Sequence, residues 1–262
     1  MADFTNQNFD LAGKVAIVTG AGGRGNSIGR AYAVALANAG ASVVVADLNG
    51  EGAQRVADEI QAAGGKAIAV QVDITDTPSA QAMADAAVDA FGGVDILVNN
   101  AALMVEMGAA ATISTDRAGF ERFMAVNVWG AINCSQIVAP LMASRGGGSI
   151  VNQSSAGAFP AQSLYGITKL ALVAATTTLA TELGSQNIRV NAIAPGMTKT
   201  DAGSSMTPDD NPFVQSIIAR CLVQPRDTPD ALCGALLLLV SEAGRWMTGQ
   251  TINVDGGWVL RY

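Results

Sequence analysis

No histidine occurs anywhere in the 262 residues. That absence removes the Ser-His-Asp and Cys-His routes to nucleophilic catalysis and the usual histidine-bearing metal triads. The three cysteines, Cys134, Cys221 and Cys233, are odd in number, widely spaced and set among apolar residues, a pattern that fits neither a disulfide framework nor a zinc site. Charged residues make up only 14% of the chain, the net charge is -7, and no Lys/Arg cluster is present, so nucleic acid and anionic membranes are poor partners. The longest apolar run, Ala235 to Val240, is far short of a membrane span. The polar stretch Met1 to Asp10 lacks the basic-then-apolar pattern of a secretory signal. These gaps predict a soluble, cytoplasmic protein whose partner is a small molecule.

What is present is apolar and glycine-rich: half the residues are apolar and 29 are glycine, a composition that buries a large core. Short β-branched runs alternate with Ala-rich segments of helical period. The strands are expected at Val15 to Thr19, Ser42 to Asp47, Ala67 to Asp73, Ile96 to Asn99, Ser149 to Gln153, Arg189 to Ala194 and Thr251 to Val254. Between them the periodicity predicts helices, including a long one from about Ala118 to Ser144 and another from about Ser163 to Leu183. Apolar strands joined by helical crossovers specify an α/β fold, a single doubly wound Rossmann-type domain over 1–262 with a parallel sheet of about seven strands covered on both faces. Ligands of such sheets bind beyond the carboxyl ends of the strands, so the loops there are the places to look.

The first of these loops, Thr19-Gly20-Ala21-Gly22-Gly23-Arg24-Gly25-Asn26-Ser27-Ile28-Gly29, runs from a strand straight into a helix. Glycines admit a close ligand and the free N–H groups of the helix attract an anion, which suits the pyrophosphate of a dinucleotide. No Gly-Lys-Ser/Thr follows, which excludes a P-loop. The second strand ends at Asp47-Leu48, where a carboxylate would accept the adenosine ribose hydroxyls and repel a 2'-phosphate, pointing to NAD; Arg24 is the competing phosphate partner. Asp73-Ile74 ends the third strand, either flanking the adenine or capping the next helix. Asn99-Asn100-Ala101-Ala102 ends the fourth, and Asn127 is an amide in mid-helix that needs buried partners.

Tyr165 and Lys169 stand four residues apart on one helix, so both side chains share a face. A phenol titrates near about 10, and a cation within roughly 4 to 6 Å would draw that value toward neutrality, making an acid/base catalyst. Ser154 and Ser155, at the end of the fifth strand, offer a hydroxyl to the phenol from the strand side.

Taken in order, these motifs resemble the short-chain dehydrogenase/reductase family in its single-domain form. The likeness runs from Leu11 to Gly257 and includes Asn127, the serine pair, Tyr165-x-x-x-Lys169, Pro195-Gly196-x-x-x-Thr200 and the closing Thr248-Gly249-Gln250 with Asp255-Gly256-Gly257. The resemblance implies that Tyr165 exchanges a proton with the substrate oxygen. It implies that Lys169 lowers the tyrosine pKa and binds the nicotinamide ribose, that a serine holds the substrate carbonyl, and that Asn127 holds a relay water. The implied cofactor, NAD with NADP as the alternative, would lie along Gly20, Gly22, Arg24, Gly25, Ser27, Ile28, Gly29, Asp47, Leu48, Asp73, Ile74, Asn100 and Ala101, then Tyr165, Lys169, Pro195, Gly196, Thr198 and Thr200. Three departures stand out. The glycine loop is longer than the family's by three residues, with Ser27 where a glycine is usual. Ala102 replaces a glycine, a small change unless φ there is positive. The serine-to-tyrosine interval is short, so counting from Asn152 selects Ser155 and counting from Gly157 selects Ser154; register favours Ser155.

The loops after strands four to six and the C-terminal tail carry Leu103, Met104, Met107, Phe159, Met206, Phe213, Trp258 and Leu260, with Lys199 and Arg261 the few fixed charges. An apolar ketone or secondary alcohol is the expected substrate, with 198–223 as a lid. The apolar helix Ala231 to Val240 and the last strand resemble the surfaces by which family members form homo-oligomers, tetramers in particular. Two other functions remain open: a 3-oxoacyl-thioester (ACP or CoA) reductase, and a non-catalytic NAD/NADH-sensing regulator.

Overall fold

The computed structural model describes residues 5–23, 25–104, 112–206, 208–225 and 227–261. Seven strands form one sheet: β1 (Val15–Thr19), β2 (Ser42–Asp47), β3 (Lys66–Gln71), β4 (Ile96–Asn99), β5 (Gly148–Gln153), β6 (Ile188–Pro195) and β7 (Thr251–Val254). Their order is β3-β2-β1-β4-β5-β6-β7 and every neighbouring pair is parallel. The order reverses between β1 and β4, which opens a crevice at their carboxyl ends.

Strand β1 shows why the apolar runs fold this way. All five of its residues are buried. Ala16 and Val18 enter the core beneath α1 (Ile28–Asn38), α2 (Gly50–Ala62) and α9 (Cys233–Val240), while Val15 and Ile17 enter the core beneath α3 (Thr77–Phe91), α5 (Gly130–Ser144) and α6 (Leu164–Leu183). A strand buried on both faces needs no polar alternation, and each Ile or Val so buried contributes roughly 1.5–3 kcal/mol. α6 meets the length and apolarity of a membrane span, yet it is a core helix here, with Lys169, Leu172, Thr176 and Leu179 buried. Ser163 starts it: the Ser163 hydroxyl accepts the Gly166 N–H at 3.1 Å.

One expectation about the elements holds with a change of winding, and two about element limits need correction. The long helix expected from Ala118 to Ser144 is present without a break but changes winding along its length, as α4 (Arg117–Met124), a π-helical turn (Ala125–Trp129) and α5. The wider turn lies where Asn127 is pulled inward to the Leu103 main chain and Thr168, and those bonds offset the poorer helix geometry. β3 stops at Gln71 rather than Asp73, because the Asp73 carboxylate folds back on the Thr75 N–H at 2.9 Å. The apolar segment expected as one helix from Ala231 begins as a 3-10 turn (Pro229–Leu232) before α9.

Candidate active site

The crevice is a cleft of about 1200 Å3. On its β1 side the glycine loop, the end of β4 and the first turn of α1 form one tight joint. The Asn100 amide donates to the carbonyls of Thr19 at 3.0 Å and Gly20 at 2.9 Å. A Cβ on Gly29 would stand 2.2 Å from the Gly20 carbonyl oxygen, so only glycine lets the helix start this close to the loop. Ser27 caps α1, its hydroxyl accepting the Arg30 N–H at 3.4 Å. The N–H groups of Ile28 and Gly29 have no partner among the described residues, and both residues line the cleft. Unsatisfied donors at a helix N-terminus are what a pyrophosphate requires, so this side of the cleft fits a dinucleotide. Gly22 and Gly25 do not line the cleft, and Arg24 lies outside the described residues.

At the end of β2, Asp47 spends one carboxylate oxygen on the Gly22 N–H at 2.8 Å and the other on the Asn49 N–H at 2.9 Å. It faces the cleft beside Leu48, which is exposed. Asp73 and Ile74 line the next stretch. Asp76, not Asp73, caps α3, so the capping alternative for Asp73 falls away. Ala101 also lines the cleft, and Ala102 has no positive φ, so its methyl brings no strain.

Across the cleft, Tyr165 is half-buried and lines the wall with Ser155, whose side chain acts to lower the pKa of the phenol. The Ser155 hydroxyl oxygen accepts the Gly157 N–H at 3.1 Å, which leaves its proton for the phenol. Ser154, the first residue after β5, turns into the protein, where its hydroxyl donates to the Lys169 carbonyl at 3.0 Å. Lys169 is fully buried, its ammonium 5.6 Å from the Tyr165 ring centroid and donating to the Gln153 carbonyl at 2.7 Å. Asn127 is buried one layer behind, with both amide donors spent on Leu103 O and Thr168 Oγ1 at 3.0 Å each. Neither Lys169 nor Asn127 lines the cleft.

The electrostatics run against the simple expectation that the lysine lowers the tyrosine pKa. Burial pushes the Tyr165 phenol up to about 12, opposed by the Ser155 side chain, and burial pulls Lys169 down to about 7. Both shifts have one cause, since desolvation disfavours phenolate and ammonium alike, and at this separation it exceeds their attraction.

Pro195, Gly196, Thr198 and Thr200 follow β6 along the cleft. Beyond them the wall is apolar: Leu103, Met104, Phe213 and Ile217 from the loops and Trp258 from the tail. Leu260 is exposed, and Arg261 stacks on Phe159 at 3.9 Å. Lys199 pairs with Asp209 at 3.4 Å. Met107 and the Met206 side chain lie outside what is described. Gln153 and Arg122 also line the cleft, and sequence reasoning missed both. No motif spacing marks them; the polar Gln153 at the end of a buried strand was the available signal.

Fold and cleft together define a class: oxidoreductases that take a dinucleotide at the switch point of a doubly wound sheet. A family model described as enoyl-(acyl carrier protein) reductase matches residues 23–259. An uncharacterized oxidoreductase of Mycobacterium tuberculosis is 47% identical over 248 residues, covering 95% of this chain and 98% of its own. The 7alpha-hydroxysteroid dehydrogenase of Escherichia coli K12 is 41% identical over 261 residues, 98% of each chain. A solved structure of 7 alpha-hydroxysteroid dehydrogenase complexed with NADH and 7-oxo glycochenodeoxycholic acid matches with a TM-score of 0.89 at 39% identity, covering 99% of each chain. The chain belongs to the short-chain dehydrogenase/reductase family and is an oxidoreductase of the alcohol and ketone type.

Proposed function

We propose that this protein is an NAD-preferring dehydrogenase/ketoreductase of an apolar secondary alcohol or ketone, with Tyr165 as acid/base. The observation that carries the reading is the placement of Ser155 and Tyr165 together on the wall of the cleft, between the open α1 N-terminus and the apolar wall. A bound nicotinamide would supply or accept the hydride. Ile28 and Gly29 would hold its pyrophosphate, Asp47 the adenosine ribose, Asp73, Ile74, Asn100 and Ala101 the adenosine half, and Pro195, Gly196, Thr198 and Thr200 the nicotinamide half. Ser155 orients the substrate oxygen and Tyr165 gives or takes its proton, while Lys169 replenishes the phenol from behind. Asn127 has no donor left, so what it offers a relay water is an acceptor, the polarity needed to pass a proton outward.

Support for NAD is the Asp47 carboxylate in the cleft, which would meet a 2'-phosphate with like charge, and the NADH named with the solved relative. Support for an alicyclic substrate is the hydroxysteroid named with two of the similar proteins. The thioester reductase reading draws on the family model's description and on Arg122 in the cleft wall. Asp47 weighs against the NADPH that such a reductase would use. Phe120, Trp129, Ile167 and Leu170 are exposed apolar residues on α4 to α6, and Trp246 is 98% exposed before β7. The α4 to α6 group together with Trp246 supports a homo-oligomer, with a tetramer favoured.

The test is a fluorescence titration with NADH and NADPH, followed by turnover of a panel of apolar ketones that includes a 7-oxo bile acid. NADH preference with turnover is expected. Preference for NADPH would promote the thioester reductase, and binding without turnover would promote the sensor.

A further inference from the structure

Asp201 opens α7 (Asp201–Met206), just beyond the Pro195-Gly196 turn, and reaches back to the lengthened glycine loop. Its Oδ2 accepts the Asn26 N–H at 2.9 Å, and its own N–H donates to the Asn26 carbonyl at 3.2 Å. Gly25 is shaped around the same carboxylate: φ is +55° and a Cβ there would stand 1.8 Å from Asp201 Oδ2. The pairing spans 175 residues of sequence and is two-way, which a chance surface contact rarely is. Neither Gly25 nor Asp201 lines the cleft, but their chain neighbours on both sides do, Ser27 and Ile28 on one strand of the joint and Thr198, Thr200 and Gly203 on the other.

We propose that Asp201 is a positioning residue for the cofactor, a latch that joins the pyrophosphate side of the cradle to the nicotinamide side. The inference rests on the dinucleotide reading above. With the latch formed, the glycine loop and the segment leading into the lid move as one body, and a bound nucleotide leaves only when that body opens. The longer loop supplies the partner, since Gly25 and Asn26 lie in its extended part. An opposite role is physically available, because a carboxylate near an anion site also repels a pyrophosphate, and the two roles differ in sign.

Stopped-flow release and equilibrium binding of NADH in the full-length protein separate them. Asp201→Ala and Gly25→Ala, which break the contact from opposite sides, are expected to raise the release rate and the Kd by about tenfold, the scale of a lost charged hydrogen bond. Asp201→Asn keeps an amide oxygen for the Asn26 N–H and is expected to stay within about threefold of the parent. The KM for nucleotide should follow the Kd in all three variants. Limited proteolysis reads the same device without turnover: NADH should protect 198–223 in the parent and fail to protect it in Asp201→Ala. Unchanged or tighter binding in Asp201→Ala, or equal protection, would overturn the latch alone. A parent protein that binds neither NADH nor NADPH would overturn the dinucleotide reading and the latch with it.

Discussion

The Lys169 ammonium is held by the Gln153 main-chain carbonyl at 2.7 Å, and the Gln153 side chain in turn accepts the Tyr32 phenol at 2.9 Å. The last residue of β5 thus links α1 to α6 through two buried bonds. Such a lysine has little solvent to stabilise its charge, and its pKa falls from 10.5 to about 7.

That shift makes stability depend on pH. The unfolded chain keeps the Lys169 proton up to 10.5, whereas the folded chain releases it above about 7, so this group makes stability rise with pH through that window and costs most below it. Above pH 9 the Cys134 and Cys233 thiols, pushed up to about 12 and about 11, act the other way because the folded chain retains their protons. In denaturant titrations between those limits, the parent is expected to gain about 1 kcal/mol per pH unit relative to Lys169→Met. Parallel curves would mean that the amine is compensated by a charge.

Tyr165, pushed up to about 12, is a neutral phenol across the physiological range. It is therefore ready to donate to a ketone and slow to accept from an alcohol. The kcat/KM for reduction is expected to be flat from about pH 6 to about 9, while that for oxidation climbs about tenfold per unit. Tyr165→Phe should lose roughly a thousandfold in both directions and still bind NADH. A plateau in the oxidation profile near neutrality would place the proton acceptor elsewhere.

The serine pair separates by readout. Ser155→Ala removes the hydroxyl that acts on the phenol and is expected to reduce turnover by about a hundredfold or more. Ser154→Ala removes a buried bond to the Lys169 carbonyl, so about 1 kcal/mol of stability should be lost with most turnover retained. Equal loss of turnover in both would dissolve the distinction.

Ala161, in the turn between Ser155 and α6, has φ +46°, a left-handed conformation that costs an L-residue roughly 1 kcal/mol. Its Cα also lies 3.0 Å from where a Cβ on Gly166 would be, so the turn is pressed against α6. Ala161→Gly is expected to relieve the strain and raise the thermal midpoint by about 2 °C, read by calorimetry. A lower midpoint would show that the lost unfolded-state restriction outweighs the strain.

How far the sequence can be read depends on how local each feature is. Strands β1, β2 and β4 fall on the expected residues because β-branched runs buried on both faces announce themselves without reference to neighbours, and the half-buried edge strand β7 falls on them as well. The Tyr165 and Lys169 pairing is equally local, since one helical turn sets it. The π-helical turn at Asn127 was not legible, because its cause is the Leu103 main chain, 24 residues away. The serine choice was half legible: spacing left two candidates, and only the packing against α6 shows that Ser154 is buried with its hydroxyl on the Lys169 carbonyl.

By itself the sequence determined the alternating α/β plan, the glycine-bearing turn, the acid at the end of β2 and the phenol four residues before an amine, all properties of short stretches and their periodicity. Tertiary structure alone decided the pKa directions at Tyr165 and Lys169, the Tyr32–Gln153–Lys169 chain and the Asn26–Asp201 contact. The physical reason is the same for each: desolvation and hydrogen bonds between residues 121 or 175 positions apart exist only once the sheet has brought their elements together.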